Sequence, residues 1–123
     1  MKKTRCAAVL GLIAVMMFTG CGKGKNENID AGMAAVEALD YDGALVNFEA
    51  ARQAGEDQRL LYRGEGMAYM GKTMYAEAAQ AFEQALSLSN GRIIGMDYDI
   101  NYYLAAAYYK QGELGRAIDV YSA

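Results

Sequence analysis

The fold of this chain is decided by residues 66–86, which read GMAYMGKTMYAEAAQAFEQAL. In the second half of this stretch, small and apolar residues recur at the spacing of one helix face, namely Ala78, Ala79, Phe82, Ala85 and Leu86. Gly66 and Ala78 carry almost no side chain, so two antiparallel helices could approach closely there. Phe82 would then fill the space between one helix pair and the next. The stretch predicts a helix–turn–helix unit that packs against copies of itself.

The same pattern occurs once before this stretch and once after it. Four residues of the preceding copy lie 34 positions upstream of their counterparts: Tyr41, Ala44, Phe48 and Ala51 match Tyr75, Ala78, Phe82 and Ala85. Gly32 and Gly66 are separated by the same interval. The copy that follows is shifted by 39 positions and contains Ala105, Tyr108, Gly112, Leu114, Ala117 and Tyr121. About five residues are therefore inserted, most simply in a loop within residues 90–97.

A 34-residue period with small, aromatic and alanine positions in this order resembles the tetratricopeptide repeat. The resemblance covers nearly all of residues 28–123 and implies an all-α fold, an α-solenoid of about three antiparallel helix pairs. Three departures from the family pattern stand out. Ala35 occupies a position that is usually aromatic, Glu65 replaces a usual Leu, and the usual Pro after the second helix is missing from every copy. About three repeats are the minimum that lets such an array bury its apolar faces.

The third repeat stops in the middle of an apolar helix pattern. Ile118, Val120 and Tyr121 continue the helix face, and no polar capping helix follows. Terminal repeats normally present a polar outer face. We therefore expect the last repeat to be truncated, with the chain a fragment of a longer protein. A natural end that a partner covers is the alternative.

The first twenty residues have the layout of a secretory signal peptide. Lys2, Lys3 and Arg5 form a basic head, and residues 6–18 are an uncharged apolar run. Such a run is too short for an ordinary membrane-spanning helix. We expect residues 1–20 to be a leader that is removed from the mature protein.

The residues at the end of this leader resemble the lipobox of bacterial lipoproteins. They read Phe18-Thr19-Gly20-Cys21, with Phe18 where the family usually has Leu. The resemblance implies cleavage before Cys21, a diacylglycerol group on its sulfur and no other cofactor. Residues 21–27 would be a flexible tether between the lipid and the repeat domain, 28–123. The expected location is the bacterial cell envelope, on a membrane and facing outside the cytoplasm, and a plain signal peptide with an incidental Cys is the alternative.

The composition excludes several kinds of chemistry. The 123 residues contain no His, so no Ser–His or Cys–His couple and no His metal ligand exists. Removal of the leader leaves 9 basic against 15 acidic residues, a formal charge of −6. An acidic body without a Lys/Arg cluster argues against a nucleic-acid partner. We expect no catalytic residues, no metal site and no enzyme activity.

Two short motifs imitate ligand sites. Residues 66–73, GMAYMGKT, satisfy the spacing of a nucleotide-binding P-loop, but no strand pattern precedes them and bulky side chains fill the middle of the motif. Residues 97–101, DYDIN, look like the start of a calcium loop, yet Tyr102 and Tyr108 stand where its Gly and Glu are required. We expect the first motif to be part of a repeat. The second is expected to be a helix start, with Asp97 or Asp99 near the N-cap.

The resemblance implies that the first helix of each pair lines a concave groove that binds a protein or peptide partner. The groove residues, carried over by position, are Met33, Val36, Arg63, Met67, Met70, Tyr102, Tyr109 and Lys110, with Ile29 and Ala106 at the remaining positions. Met adapts to varied partner shapes, and Tyr and Arg are frequent binding anchors. Tyr69 and Tyr108, by contrast, are expected to be core residues. The Lys and Asn residues with which some members hold a chaperone's C-terminal carboxylate are missing, so that partner is not expected. A structural subunit of an envelope assembly machine and an accessory region of a longer enzyme are the alternatives.

Overall fold

The computed structural model describes residues 25–123 as a row of helices. Six helices follow one another in this part of the chain: α1 Glu27–Glu37, α2 Tyr41–Gln53, α3 Gln58–Gly71, α4 Tyr75–Ser87, α5 Gly95–Lys110 and α6 Leu114–Ser122. They form the pairs α1–α2, α3–α4 and α5–α6, and each pair packs against the next. The predicted all-α architecture of three helix pairs is confirmed. The predicted leader and Cys21 lie outside the described residues.

The turns inside the three pairs share one backbone feature. Leu39, Thr73 and Gly112 occupy equivalent places and all have a positive φ, of 60°, 59° and 78°. This left-handed conformation ends the first helix of a pair and sends the chain back along it. It costs a residue with a Cβ about 1–2 kcal/mol. Glycine avoids this cost, so only the third turn, with Gly112, has the residue best suited to a positive φ.

The buried side chains form two clusters, one on each side of α3. The first cluster contains Ile29, Ala44, Phe48, Ala51, Leu61 and Ala68. The second contains Ala78, Ala79, Phe82, Ala85, Ile100, Leu104, Ala107, Tyr108 and Ala117. Phe48 and Phe82, which the repeat pattern makes equivalent, are completely buried. The prediction that Phe82 fills the space between neighbouring pairs is confirmed.

Glycines let the two phenylalanine rings lie against helix backbones. A Cβ on Gly66 would lie 2.5 Å from Cε1 of Phe82, and a Cβ on Gly32 would lie equally close to Phe48. The far side of Phe48 meets Gly64 of α3, where a Cβ would be 2.4 Å from the ring. The far side of Phe82 meets Tyr103 of α5, whose ring stacks on it at a centroid distance of 5.7 Å.

Polar contacts join the last two pairs. The hydroxyl of Tyr108 donates to Glu83, and Arg116 Nη2 donates to Glu83 Oε1 at 3.0 Å and to the Tyr108 hydroxyl at 2.8 Å. The guanidinium also lies over the Tyr108 ring, 4.2 Å from its centre. Burial and the Glu83 carboxylate raise the pKa of Tyr108 to about 12. The phenol is therefore held in its neutral, hydrogen-bonded form.

The five-residue insertion is divided between a loop and a helix. The connection between α4 and α5 is residues 88–94, whereas the corresponding connection between α2 and α3 is residues 54–57. The remaining two residues lengthen α5, which has 16 residues against 14 in α3. The prediction of a pure loop insertion was thus only partly right. The longer helix begins early because Asp97 accepts a hydrogen bond from the backbone N–H of Ile94 at 2.7 Å.

Candidate functional site

The helices are not arranged as a flat layer. Among the six described helices, the backbone of α3 lies close to the backbones of both α1 and α5, whereas the backbones of α2 and α4, and those of α4 and α6, stay apart. The first helices of the pairs therefore lie close together and the second helices diverge. Divergence on one side makes the array curve, with α1, α3 and α5 along its concave side. These are the three helices that carry the predicted groove residues.

The aliphatic members of the predicted groove set are half-buried. Met33 and Val36 pack against the first cluster, and Met67 and Met70 pack against the second. Part of each side chain thus supports the contact between neighbouring pairs, and the rest stays accessible to solvent. Ile29, at the head of this row, is buried.

Arg63 takes part in a pair of ionic contacts between α3 and α5. Its Nε donates to Asp99 Oδ2 at 2.7 Å, and its Nη2 donates to the same oxygen. One helix turn earlier, Arg59 Nη2 donates to Asp97, which is almost fully buried. When such a pair is partly buried, removing one partner is destabilising, because the other charge is left without its partner away from water. Arg63 is therefore occupied within the protein itself.

The members of the predicted groove set on α5 are the most exposed. Tyr102 and Tyr109 are exposed, and Lys110 beside them is exposed as well. Tyr102 contacts the neighbouring Tyr103 edge-on at 5.6 Å. Both Tyr102 and Tyr109 also border cavities that reach to the end of α6. The structure thus brings the predicted set together along three neighbouring helices, with its α5 members turned toward the end of the array.

The two motifs that imitate ligand sites are both helical. Residues 66–71 are part of α3, with Gly66 against Phe82, so their backbone amides are engaged inside a helix. Asp97 lies in the first turn of α5 and Asp99 in the next, as the helix-start interpretation predicted. No group of three or more His, Cys, Asp or Glu side chains suited to a metal ion occurs within residues 25–123.

Glu65, which departs from the family pattern, is buried and paired. Its Oε1 accepts from Arg52 Nη2 of α2 at 2.5 Å, and the same guanidinium lies 5.9 Å from the centre of the Tyr62 ring. Burial alone would lower the pKa of Arg52, but the hydrogen bonds and charges of Glu65 and Glu49 raise it above the usual value. An acidic residue is thus tolerated at an apolar position because an arginine from the preceding pair neutralises it.

A third cavity, of about 470 Å³, lies between α3 and α4. Its walls are Tyr62, Glu65, Tyr69, Glu77, Gln80, Ala81, Glu83 and Gln84. Tyr69 had been predicted to be a core residue, and it is only half-buried because its ring also borders this cavity. Tyr108, predicted to be core on the same grounds, is buried.

Sequence reasoning missed the ion pairs of Arg59 and Arg63 and the cavities at the end of the array. The ion pairs use Asp97 and Asp99, whose counterparts in α3 are Gln58 and Leu60, so no repeated residue type signals them. The cavities could have been found by following the repeat one step further, since they surround Tyr121, the counterpart of Phe82. None of the described helices is long and apolar enough to cross a membrane.

Comparison with known proteins agrees with this geometry. A family model described as the tetratricopeptide repeat matches residues 29–93 and again residues 63–123, so the two matches begin one repeat apart. A search among curated proteins finds no match. Tetratricopeptide repeats generally bind protein partners and are typically scaffolds without enzymatic activity. The chain, with three helix pairs built on the same residue pattern, belongs to the tetratricopeptide repeat family.

Proposed function

We propose that this protein is a lipid-anchored component of the bacterial cell envelope that binds another protein or a peptide along the concave side of its array. The observation that carries the proposal is the row of half-buried methionines on α1 and α3 that continues into exposed tyrosines on α5. Met offers a flexible, polarisable surface and Tyr a rigid anchor with a polar tip. Together they suit an extended partner with apolar side chains. The lipid anchor rests on the lipobox at Phe18–Cys21.

The groove is tested by changing one methionine on α1 and one on α3 to a polar residue of similar length. Met33→Gln together with Met67→Gln should weaken partner binding by about tenfold, since burying an amide without its water costs roughly 1–3 kcal/mol. The measurement is recovery of crosslinked partners from envelope extract, quantified by mass spectrometry against the unchanged protein. Both substitutions keep the volume of the side chain, so the fold should survive.

The matched control is Val46→Gln on α2, whose side chain is exposed on the diverging side of the array. It should leave the recovered partners unchanged. If the double methionine variant also recovered the same partners in the same amounts, the groove would not be the binding surface. A structural role in an envelope assembly would then be favoured.

The anchor is tested at Cys21. Cys21→Ala should abolish incorporation of labelled palmitate and move the protein from the membrane to the soluble fraction, because each buried methylene contributes about 0.8 kcal/mol to membrane binding. Cys6→Ala is the control, since that residue belongs to the leader and should leave labelling intact. Equal labelling of the Cys21→Ala variant and the unchanged protein would rule out lipidation at this residue.

A further inference from the structure

The third helix pair contains a tyrosine ring that is covered by an arginine of the same pair. The guanidinium of Arg116 lies over the ring of Tyr108, 4.2 Å from its centre. Arg116 Nη2 donates to Oε1 of Glu83 at 3.0 Å, and the Tyr108 hydroxyl donates to the same oxygen. The negative face of an aromatic ring attracts a cation. In this pair a tyrosine and a neighbouring carboxylate thus hold one guanidinium group together.

The second helix pair has the same tyrosine without the arginine. The counterparts of Tyr108 and Arg116, 39 positions earlier, are Tyr69 and Glu77. The ring is therefore retained, whereas the cation is replaced by an acid. Tyr69 and Glu77 are both walls of the cavity of about 470 Å³ between α3 and α4. Where the third pair has a guanidinium on its tyrosine, the second pair has an open cavity beside its tyrosine.

Two arginines of the chain already bind residues in the walls of this cavity. Arg52 of α2 lies 5.9 Å from the centre of the Tyr62 ring and donates to Oε1 of Glu65 at 2.5 Å. Arg116 of α6 binds Glu83, which is another wall residue. In both cases a guanidinium group is held by one tyrosine and one glutamate. The molecule itself therefore shows which chemical group these walls attract.

The carboxylates in the walls are only partly neutralised by these arginines. Arg52 divides its charge between Glu65 and a second glutamate on α2. Arg116 divides its charge between Glu83 and a second glutamate at the start of α6. No ion pair within residues 25–123 uses Glu77. The cavity thus keeps an excess of negative charge, which favours a further cation.

The size and the neutral residues of the cavity suit a guanidinium better than an ammonium group. Its volume lies within the roughly 300–1,000 Å³ that is usual for ligand sites, and the small side chain of Ala81 leaves this space open. Gln80 and Gln84 add amide oxygens that can accept hydrogen bonds. A guanidinium is flat and carries five N–H donors, so it can stack on a ring and donate to several oxygens at once.

We propose that the cavity between α3 and α4 binds the arginine side chain of a partner polypeptide. The guanidinium stacks on Tyr69, as Arg116 does on Tyr108, and donates to Glu77. None of the residues of the concave groove is a wall of this cavity. The site is therefore separate from the groove, and it depends neither on the groove nor on the lipid anchor.

The probe is N-acetyl-L-arginine amide, which presents the side chain without backbone charges, as a peptide does. Titrated into the full chain in neutral detergent micelles, it should cause saturable shifts of the Tyr62 and Tyr69 ring signals in NMR spectra. N-acetyl-L-citrulline amide has nearly the same shape but no charge, and it should cause no shifts. Free L-arginine should bind more weakly, because its carboxylate would meet the glutamates. Equal or tighter binding of free arginine would overturn the assignment to a polypeptide.

Removal of the unpaired carboxylate tests the charge contribution. Glu77→Gln should weaken binding of the probe by about threefold to fivefold, the usual effect of losing one exposed charge contact. Glu37→Gln is the matched control, because Glu37 is an exposed glutamate on α1 and its substitution changes the net charge equally. The control should leave the affinity unchanged. Equal weakening by both substitutions would show a general charge effect and contradict a site at Glu77.

Glu77→Arg is the sharper test, because it gives the second pair the arginine that the third pair has. The introduced guanidinium should lie over Tyr69 and fill the cavity, so the probe should no longer shift the ring signals. The side chain of Glu77 is exposed, so the circular dichroism and the melting temperature should be maintained. Undiminished binding by the Glu77→Arg variant, or equal shifts with the citrulline and arginine probes, would overturn the proposal.

Discussion

Phe82→Ala is expected to lower the free energy of unfolding by about 3–5 kcal/mol, since it removes a large side chain that is completely buried. The ring lies between the backbone of Gly66 and the ring of Tyr103. Helix backbones cannot move together far enough to fill the space that is left. Because domains of this size are stable by only about 5–15 kcal/mol, the loss should be visible at once in urea unfolding followed by circular dichroism at 222 nm.

The chain offers a control at the equivalent position of the next repeat. Tyr121→Ala removes a ring of similar size that no described helix covers, and its effect should stay within about 0.5 kcal/mol. The comparison separates a cavity effect from a general loss of aromatic surface in the second helix of a pair. Similar losses in the two variants would contradict the assignment of Phe82 to the core.

Gly66→Ala is expected to destabilise the protein, against the usual rule for helices. Alanine in place of glycine inside a helix normally contributes about 0.5–1 kcal/mol of stability. Here the added Cβ would lie 2.5 Å from Cε1 of Phe82 and 2.7 Å from two further ring carbons. Overpacking of a tight contact costs about 1–3 kcal/mol, so the net change should be a loss of stability, measured as a lower urea midpoint with an unchanged m-value.

Gly115 provides the matched comparison, because it too is helical but a Cβ there would meet no atom within 4 Å. Gly115→Ala should therefore raise the urea midpoint or leave it unchanged. Both substitutions replace Gly by Ala inside a helix. The opposite signs of their effects on the urea midpoint therefore follow from the Phe82 ring beside Gly66. A stabilising effect of Gly66→Ala would show that α3 and α4 do not approach as closely as described.

The repeat pattern was sufficient to predict the architecture, and the reason is physical. Gly66 and Phe82 make a contact that Gly32 and Phe48 make in the preceding pair, so the spacing of these residues appears in the sequence as a 34-residue period. The same reasoning placed Ala78, Ala85 and Tyr108 in the core correctly. It failed for Tyr69, because a helical aromatic can be packed on one side and border a cavity on the other.

The contacts between repeats were harder to predict, because their residues are not the same from one repeat to the next. Arg59 of α3 meets Asp97 of α5, whereas the counterpart of Asp97 in α3 is the uncharged Gln58. The acidic run of residues 97–101 suggested the helix start but could not indicate which arginine would reach it. Glu65 was recognised as a departure from the family pattern, whereas its neutralisation by Arg52 required the position of α2.

The candidate groove was predicted from position within the repeat, and the structure adds how each residue is used. Met67 supports a core cluster and Arg63 is held by Asp99, so neither side chain is wholly available to a partner. Burial of this kind cannot be inferred from a helical period. The period places a residue on one face of a helix, but it does not say how much of the side chain the next helix pair covers. Tyr102 and Tyr109 of α5 are more exposed, because none of the described helices packs over them.

Helix α3 lies between the two core clusters, and this position affects the order in which the helices unfold locally. Leu61 and Ala68 complete the first cluster, while Met67 and Met70 pack against the second. The pair α1–α2 can open without disturbing the second cluster, and α6 can fray without disturbing the first. Local unfolding of α3 removes packed side chains from both core clusters at once. In an array whose units touch only their neighbours, we therefore expect the described helices to open from the outermost ones inward, with α3 the last of them to lose its contacts.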